Sequence, residues 1–231
     1  MQGKLIVIDG TDGSGKATQV AHLKERLVAE GYQVASLDFP RYEDNFFGSF
    51  IGECLRGDHG DWAGLSPRIA SVVYAADRFE SAETIRAWLA EGRVVILDRY
   101  VSSNQIHQGG KITETHERKA FLTWLDTMEH DIFKIPRPDI IIYLDVPLAV
   151  SQALLSQKNT QDTKTYLAGK KDQHENDLEH LTAAKEAGLA LIAEMNNWHR
   201  INCAPEGELL SIEEVHEMVY GVLSEGGYLV S

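Results

Sequence analysis

The stretch Leu5-Ile-Val-Ile-Asp-Gly10-Thr-Asp-Gly-Ser-Gly-Lys16-Ala-Thr18 decides the fold. Its apolar opening reads as a buried strand, and the glycines from Gly10 lead straight into an amphipathic helix pattern. Glycines let successive backbone N–H groups curl around an anion, the helix that follows points its positive dipole end at it, and Lys16 adds a point charge on the outer phosphates. The spacing G-x-x-G-x-G differs from the G-x-G-x-x-G of dinucleotide folds. A complete phosphate-binding loop reads G-x-x-x-x-G-K-[ST], with the last hydroxyl on Mg²⁺, but Ala17 stands there. Thr18 follows one residue later, turned by about 100° on a helix, so it is no direct substitute.

From this loop the pattern extends outward as alternating strand and helix signals. Lys16 to Glu30 has helical spacing through Val20, Leu23 and Leu27, and Gly31 precedes a strand over Gln33 to Asp38. Pro67 marks a helix start, with an apolar stripe from Ile69 toward Gly92. Val94 to Leu97 and Ile140 to Leu144 are continuous apolar runs, each closed by an aspartate, Asp98 and Asp145. Such runs suit parallel strands covered on both faces. A weakly periodic polar segment runs from Ser156 to Lys171, then a long helix pattern to about Asn196, a strand over Trp198 to Cys203 and a helix from Ile212 to Leu223. The alternation predicts one α/β domain over 1–231, a three-layer α/β/α sandwich on a mainly parallel sheet of about five strands, with a lid at about 156–172.

Composition narrows the function classes. The 231 residues suffice for a core without staples, and only Cys54 and Cys203 occur, far apart, which suits a reducing cytoplasm. The chain opens directly on a strand and no window approaches about eighteen apolar residues, so neither a signal peptide nor a membrane span is expected. A net charge of −13 argues against nucleic-acid binding. The informative cations are therefore Lys16, Arg41, Arg78 and Arg99. Arg41 in Phe39-Pro-Arg-Tyr42 and Arg99 in Asp98-Arg-Tyr100 follow the second and third strands, at the sheet edge where ligands bind. Arginine's planar fork suits phosphate oxygens there.

With Tyr74-Ala-Ala-Asp-Arg78 and Ser103-Asn-Gln-Ile-His-Gln-Gly-Gly110, these motifs occur in the order and spacing of the thymidylate kinases, which the chain resembles over nearly its whole length, more weakly after about Asp177. The resemblance implies a P-loop nucleoside monophosphate kinase moving the γ-phosphate of ATP to dTMP, a step toward dTTP. Gly10, Thr11, Asp12, Gly13, Ser14, Gly15, Lys16, Ala17 and Thr18 would hold ATP, with Lys16, Arg99 and Asp12 catalytic. Phe39, Arg41, Tyr74, Arg78, Arg99, Asn104, Gln105 and His107 would hold dTMP, Tyr74 stacking on the base and Arg78 reaching its edge. His107 replaces the family's usual aromatic residue beside the sugar, which leaves discrimination against a 2′-hydroxyl open.

The same resemblance implies Mg²⁺, held through Asp12 and Glu175 with Asp98 further out, a homodimer, and no nucleic-acid or membrane partner. Glu175 lies in Asp172-Gln-His-Glu175, where His174 replaces an aromatic residue, and the lid carries Lys158, Lys164, Lys170 and Lys171 in place of arginine. Because a phosphate acceptor is already anionic, no general base is needed. Two rivals remain: a deoxynucleoside kinase using Asp9 or Asp38 as base, and a nucleotide-binding paralogue without turnover.

Overall fold

The computed structural model describes residues 2–161 and 178–229, the side chains of 156–161 excepted. Strands β1 (Lys4–Gly10), β2 (Val34–Asp38), β3 (Val94–Asp98), β4 (Ile140–Asp145) and β5 (Trp198–Asn202) form a parallel sheet in the order β2-β3-β1-β4-β5. Helices α1 (Lys16–Ala29), α2 (Phe46–Leu55), α3 (Pro67–Ala90), α4 (Val101–Gly110), α5 (Thr115–Asp126), α6 (Leu148–Gln161), α7 (Leu178–Glu194) and α8 (Ile212–Glu225) connect and cover it. A π-helical turn, Thr127–Ile132, continues α5.

The period of two along each strand explains the layers. Leu5 and Val7 of β1, Val95 and Leu97 of β3 and Tyr143 of β4 face one core with Ala82 and Ile85 of α3, Ile106 of α4, Phe121 of α5 and Ala184 of α7. Ile6, Ile8, Ile96 and Ile142 face the other, against Leu23 and Leu27 of α1 and Val219 and Leu223 of α8. Both faces of β1 are fully buried, so its apolar run is continuous rather than alternating. Each such side chain contributes about 1.5–3 kcal/mol on burial. α4 lies close against α7, where a Cβ on Gly110 would meet the Ala183 carbonyl at 2.9 Å.

The expected three-layer α/β/α sandwich and its five strands are present, with every pairing parallel. α3 starts at Pro67 in the first helical position, as the sequence predicts. Helices α2, α4 and α5 carry no clear sequence signal. α4 reads Val-Ser-Ser-Asn-Gln-Ile-His-Gln-Gly-Gly, polar and ending in two poor helix formers, and it is held by its neighbours rather than by propensity. α6 runs on to Gln161, so the backbone of the expected lid begins as helix, and residues 162–177, with the proposed ligand Glu175 and Lys164, Lys170 and Lys171, lie outside the described residues. The Lys158 side chain does too.

The strand order places β1 at the centre, with β3 on one side and β4 on the other. The chain leaves β1 toward β2 and returns past β1 to reach β4, so a crevice opens at the carboxyl end of β1. Most of the candidate site residues gather there.

Candidate active site

Gly10 ends β1 and Lys16 opens α1, so the loop between them must turn within five residues. Gly13 makes this possible: its φ is +78°, and a Cβ there would lie 2.4 Å from the Ser151 carbonyl of α6. Gly15, also at positive φ, caps α1 without a side chain. Lys16 is buried and its Nζ donates to the carbonyls of Gly10 at 3.1 Å and Thr11 at 2.9 Å. Burial lowers its pKa to about 8, assisted by Arg99 and opposed by Asp12, Asp98 and Asp9.

Arg99 follows β3 with φ at +65°, a left-handed conformation rare for a side-chain-bearing residue, and its N–H donates to the Ile8 carbonyl of β1 at 3.1 Å. This bend turns the guanidinium back over the loop. It pairs with Asp12, lies 3.7 Å from Asp9, and reaches Ser103 Oγ at 3.4 Å and His107 Nε2 at 3.2 Å. Burial works against its charge, but Asp12, Asp9 and Asp98 outweigh that and hold its pKa above the ordinary arginine value. Burial raises the pKa of Asp98, with Lys16 and Arg99 opposing.

Asp9, fully buried, ties the loop to α4. Its carboxylate accepts from the Gly10 N–H at 2.8 Å, Ser102 Oγ at 2.6 Å and Ser103 Oγ at 2.8 Å. Asp77 of α3 does the same for the segment after β2, accepting from the Arg41 N–H at 3.1 Å and Asn45 Nδ2 at 2.9 Å. The Arg41 guanidinium lies on Asp44 at 2.8 Å.

One cavity of about 670 Å³ runs across this edge of the sheet. On the β2 and β3 side it is lined by Phe39, Tyr42, Tyr74, Arg78, Asn104 and His107. On the β4 and β5 side Val146, Cys203, Leu210, Ile212 and Val215 form an apolar wall. Asp12 to Thr18 lie between them on the central strand's loop, with Asp98 and Arg99 at the seam. Of the candidate ATP- and dTMP-binding residues, Gly10, Thr11, Arg41 and Gln105 are outside the lining set. Gln105 is one helical step from Asn104, about 100° around α4, whereas Asn104, His107 and Gln108 share a face.

Three groups at the site have no clear sequence signal. Gln108 lines the cavity with a buried Oε1 that has no partner among the described residues. The Leu209-Leu210 pair ahead of α8 supplies apolar wall, and only the capping box Ser211 to Glu214 marks that helix start in the sequence. Glu129, buried under Arg78, is signalled by nothing local.

For a hard cation the donor chemistry is suitable: Asp12 and Asp98 offer carboxylates, and the loop hydroxyl Ser14 Oγ is buried without a partner among the described residues. Among the described residues no three acidic, histidine or cysteine side chains converge as a metal cage. Mg²⁺ needs none, because it keeps water and nucleotide oxygens as ligands.

The family model described as thymidylate kinase matches residues 8–219. Thymidylate kinase of Mycobacterium tuberculosis strain H37Rv is 35% identical over 188 residues, 80% of this chain and 85% of that one. The probable thymidylate kinase of Pyrococcus abyssi is 32% identical over 225 residues, 96% of this chain and 97% of that one. The solved thymidylate kinase from Candida albicans shares the fold at a TM-score of 0.70 and 21% identity, over 98% of this chain and 93% of that chain.

Proposed function

The chain belongs to the thymidylate kinase family, and from that premise we infer its reaction. It is a nucleoside monophosphate kinase that transfers the γ-phosphoryl group of ATP to dTMP, giving dTDP and ADP. The observation that carries the reading to the residues is the cavity with two arms on either side of one phosphate loop, Arg99 standing between them.

In our account ATP lies with its phosphates on the loop from Gly10 to Thr18 and its base toward the apolar wall at Leu210 and Val215. The acceptor lies in the other arm, its base among Tyr74, Arg78 and Asn104, its sugar beside His107 and its phosphate toward Arg99. Phe39 packs 5.8 Å from Tyr100 and shapes the floor of this arm. Arg41 is one exchangeable ion pair away from the acceptor phosphate, since Asp44 is mostly exposed.

The attacking oxygen of a phosphate monoester is anionic at neutral pH, so catalysis reduces to alignment and charge neutralisation. Lys16 holds the outer phosphates of the donor, and Arg99, with Asp9, Asp12 and Asp98 around it, stays fixed and charged between donor and acceptor. Mg²⁺, held by Asp12 and through water by Asp98, would supply charge neutralisation on the nucleotide phosphates when bound.

We propose a homodimer, supported by Ile69, Val72 and Phe79, exposed large apolar residues on one stripe of α3. A reducing, cytoplasmic setting is supported by the free, buried thiols of Cys54 and Cys203; no helix among the described residues is long and apolar enough to cross a membrane. A coupled assay with ATP, Mg²⁺ and thymidine beside dTMP tests the reaction, with product expected from the monophosphate alone.

A further inference from the structure

Glu129 sits in the π-helical turn after α5, fully buried and outside the cavity lining, yet it grips two residues of that lining. Arg78 Nε donates to Glu129 Oε2 at 2.8 Å and its NH2 group to Oε1, while NH1 donates to the Tyr100 carbonyl at 3.2 Å. Asn104 Nδ2 donates to the same Oε1 and to the Ser71 carbonyl, both at 3.2 Å. π-helical turns are rare and concentrate at functional sites. This one delivers a carboxylate from α5 to the junction of α3 and α4.

The hydrogen-bond inventory then fixes what the wall can offer a ligand. A side-chain amide has two N–H groups, and both of Asn104's are spent on groups that only accept. Flipping the amide would set its oxygen against two other oxygens, so Oδ1 is the polar atom Asn104 has left to present. Arg78 uses three of its five N–H groups on Glu129 and Tyr100, and those that remain are donors only. The wall is therefore a donor beside an acceptor. A 4-keto pyrimidine presents the complement, an acceptor O4 beside a donor N3–H. A 4-amino pyrimidine presents the reverse, a donor N4 beside an acceptor N3.

We propose that Glu129 is the positioning residue that makes this kinase select 4-keto over 4-amino pyrimidines, by locking the orientation of the Asn104 amide and the plane of the Arg78 guanidinium. The inference rests on the thymidylate kinase reading, in which the base lies against Arg78 and Asn104. It separates thymine and uracil together from cytosine, and leaves recognition of the 5-methyl group to other contacts.

The decisive probe is 5-methyl-dCMP, which keeps the methyl group of dTMP and reverses only the polar edge. Wild-type enzyme is expected to favour dTMP over it in kcat/KM by about tenfold to a hundredfold. In Glu129→Gln the group facing Asn104 can donate, the amide can flip, and that ratio is expected to fall by about tenfold, chiefly through KM for dTMP. The ratio of dTMP to dUMP and the KM for ATP are expected to stay within about twofold, which a merely structural loss would not explain. Glu129→Asp, still an acceptor-only group, retains more of the selectivity than Glu129→Gln. An equal loss for dTMP, dUMP and 5-methyl-dCMP in Glu129→Gln overturns the proposal. If Glu129→Gln does not fold, Glu129→Asp is read in its place, with a smaller fall in the dTMP to 5-methyl-dCMP ratio expected and an equal loss for all three monophosphates overturning the proposal; equal use of dTMP and 5-methyl-dCMP by the wild type overturns it with the kinase activity intact. Failure of the wild type to phosphorylate any monophosphate overturns the kinase reading itself, and the inference with it.

Discussion

His107 Nε2 lies 3.2 Å from an NH1 group of Arg99, and because arginine only donates, the imidazole nitrogen accepts. The proton is then on Nδ1, directed at His180 Nε2 at 3.3 Å, and the two rings stack at 5.4 Å. An imidazole thus helps aim the arginine proposed to lie between donor and acceptor. His107→Leu, which keeps the bulk and removes the acceptor, is expected to lower kcat about tenfold with KM for ATP little changed. Arg99→Ala is expected to lower it by about two to four orders of magnitude. Steady-state kinetics on both variants checks this, and a wild-type kcat for His107→Leu would mean that Asp9 and Asp12 orient Arg99 alone.

Lys16 gives a pH signature with a definite sign. With its pKa lowered to about 8, it loses its charge as pH rises through that value in the free enzyme. Bound phosphates favour the charged form and raise the pKa, so ATP binding takes up a proton above about pH 8. ATP affinity is expected to fall by up to about tenfold between pH 7 and pH 9. Calorimetry in two buffers of different ionisation enthalpy measures the uptake, and an affinity flat over that range contradicts the assignment.

Ala17 lines the cavity where a P-loop hydroxyl would meet Mg²⁺. Ala17→Thr restores that ligand at an exposed helix position. The Mg²⁺ concentration for half-maximal activity is expected to drop several-fold, with thermal stability changed by less than about 0.5 kcal/mol. Magnesium titration of the two proteins reads the difference; an unchanged half-saturation would place the metal away from this end of α1.

Val72 and Phe79 are 41% and 54% exposed on α3, one stripe with Ile69. Charge on that stripe opposes helix-to-helix association, so Val72→Glu with Phe79→Glu is expected to convert a dimer to a monomer. Sedimentation velocity distinguishes the two states, and a dimer that persists in the double variant would move the interface elsewhere.

Local pattern in the sequence encodes the sheet and the loop. Strands covered on both faces leave unbroken apolar runs such as Leu5 to Ile8, and the phosphate loop has its own glycine spacing, so sheet and loop were legible. The β3 edge was legible because Asp98-Arg-Tyr100 is contiguous. Glu129 was not, since its partner Arg78 is fifty-one residues away and the π turn that buries it has no local mark. The Asn104 face of α4 was only half legible. Adjacent Asn104 and Gln105 both look like base contacts until α4 is known to be a helix, where Gln108 rather than Gln105 shares the cavity face.

One phosphate loop is proposed to serve a donor arm and a monophosphate acceptor arm on opposite sides of β1. A coupled assay with ATP, Mg²⁺ and separate dTMP, dUMP, dCMP and thymidine acceptors tests it most directly. Diphosphate formation is expected to be fastest with dTMP and absent with thymidine. Phosphorylation of thymidine, or ATP binding with no product from any monophosphate, would contradict it.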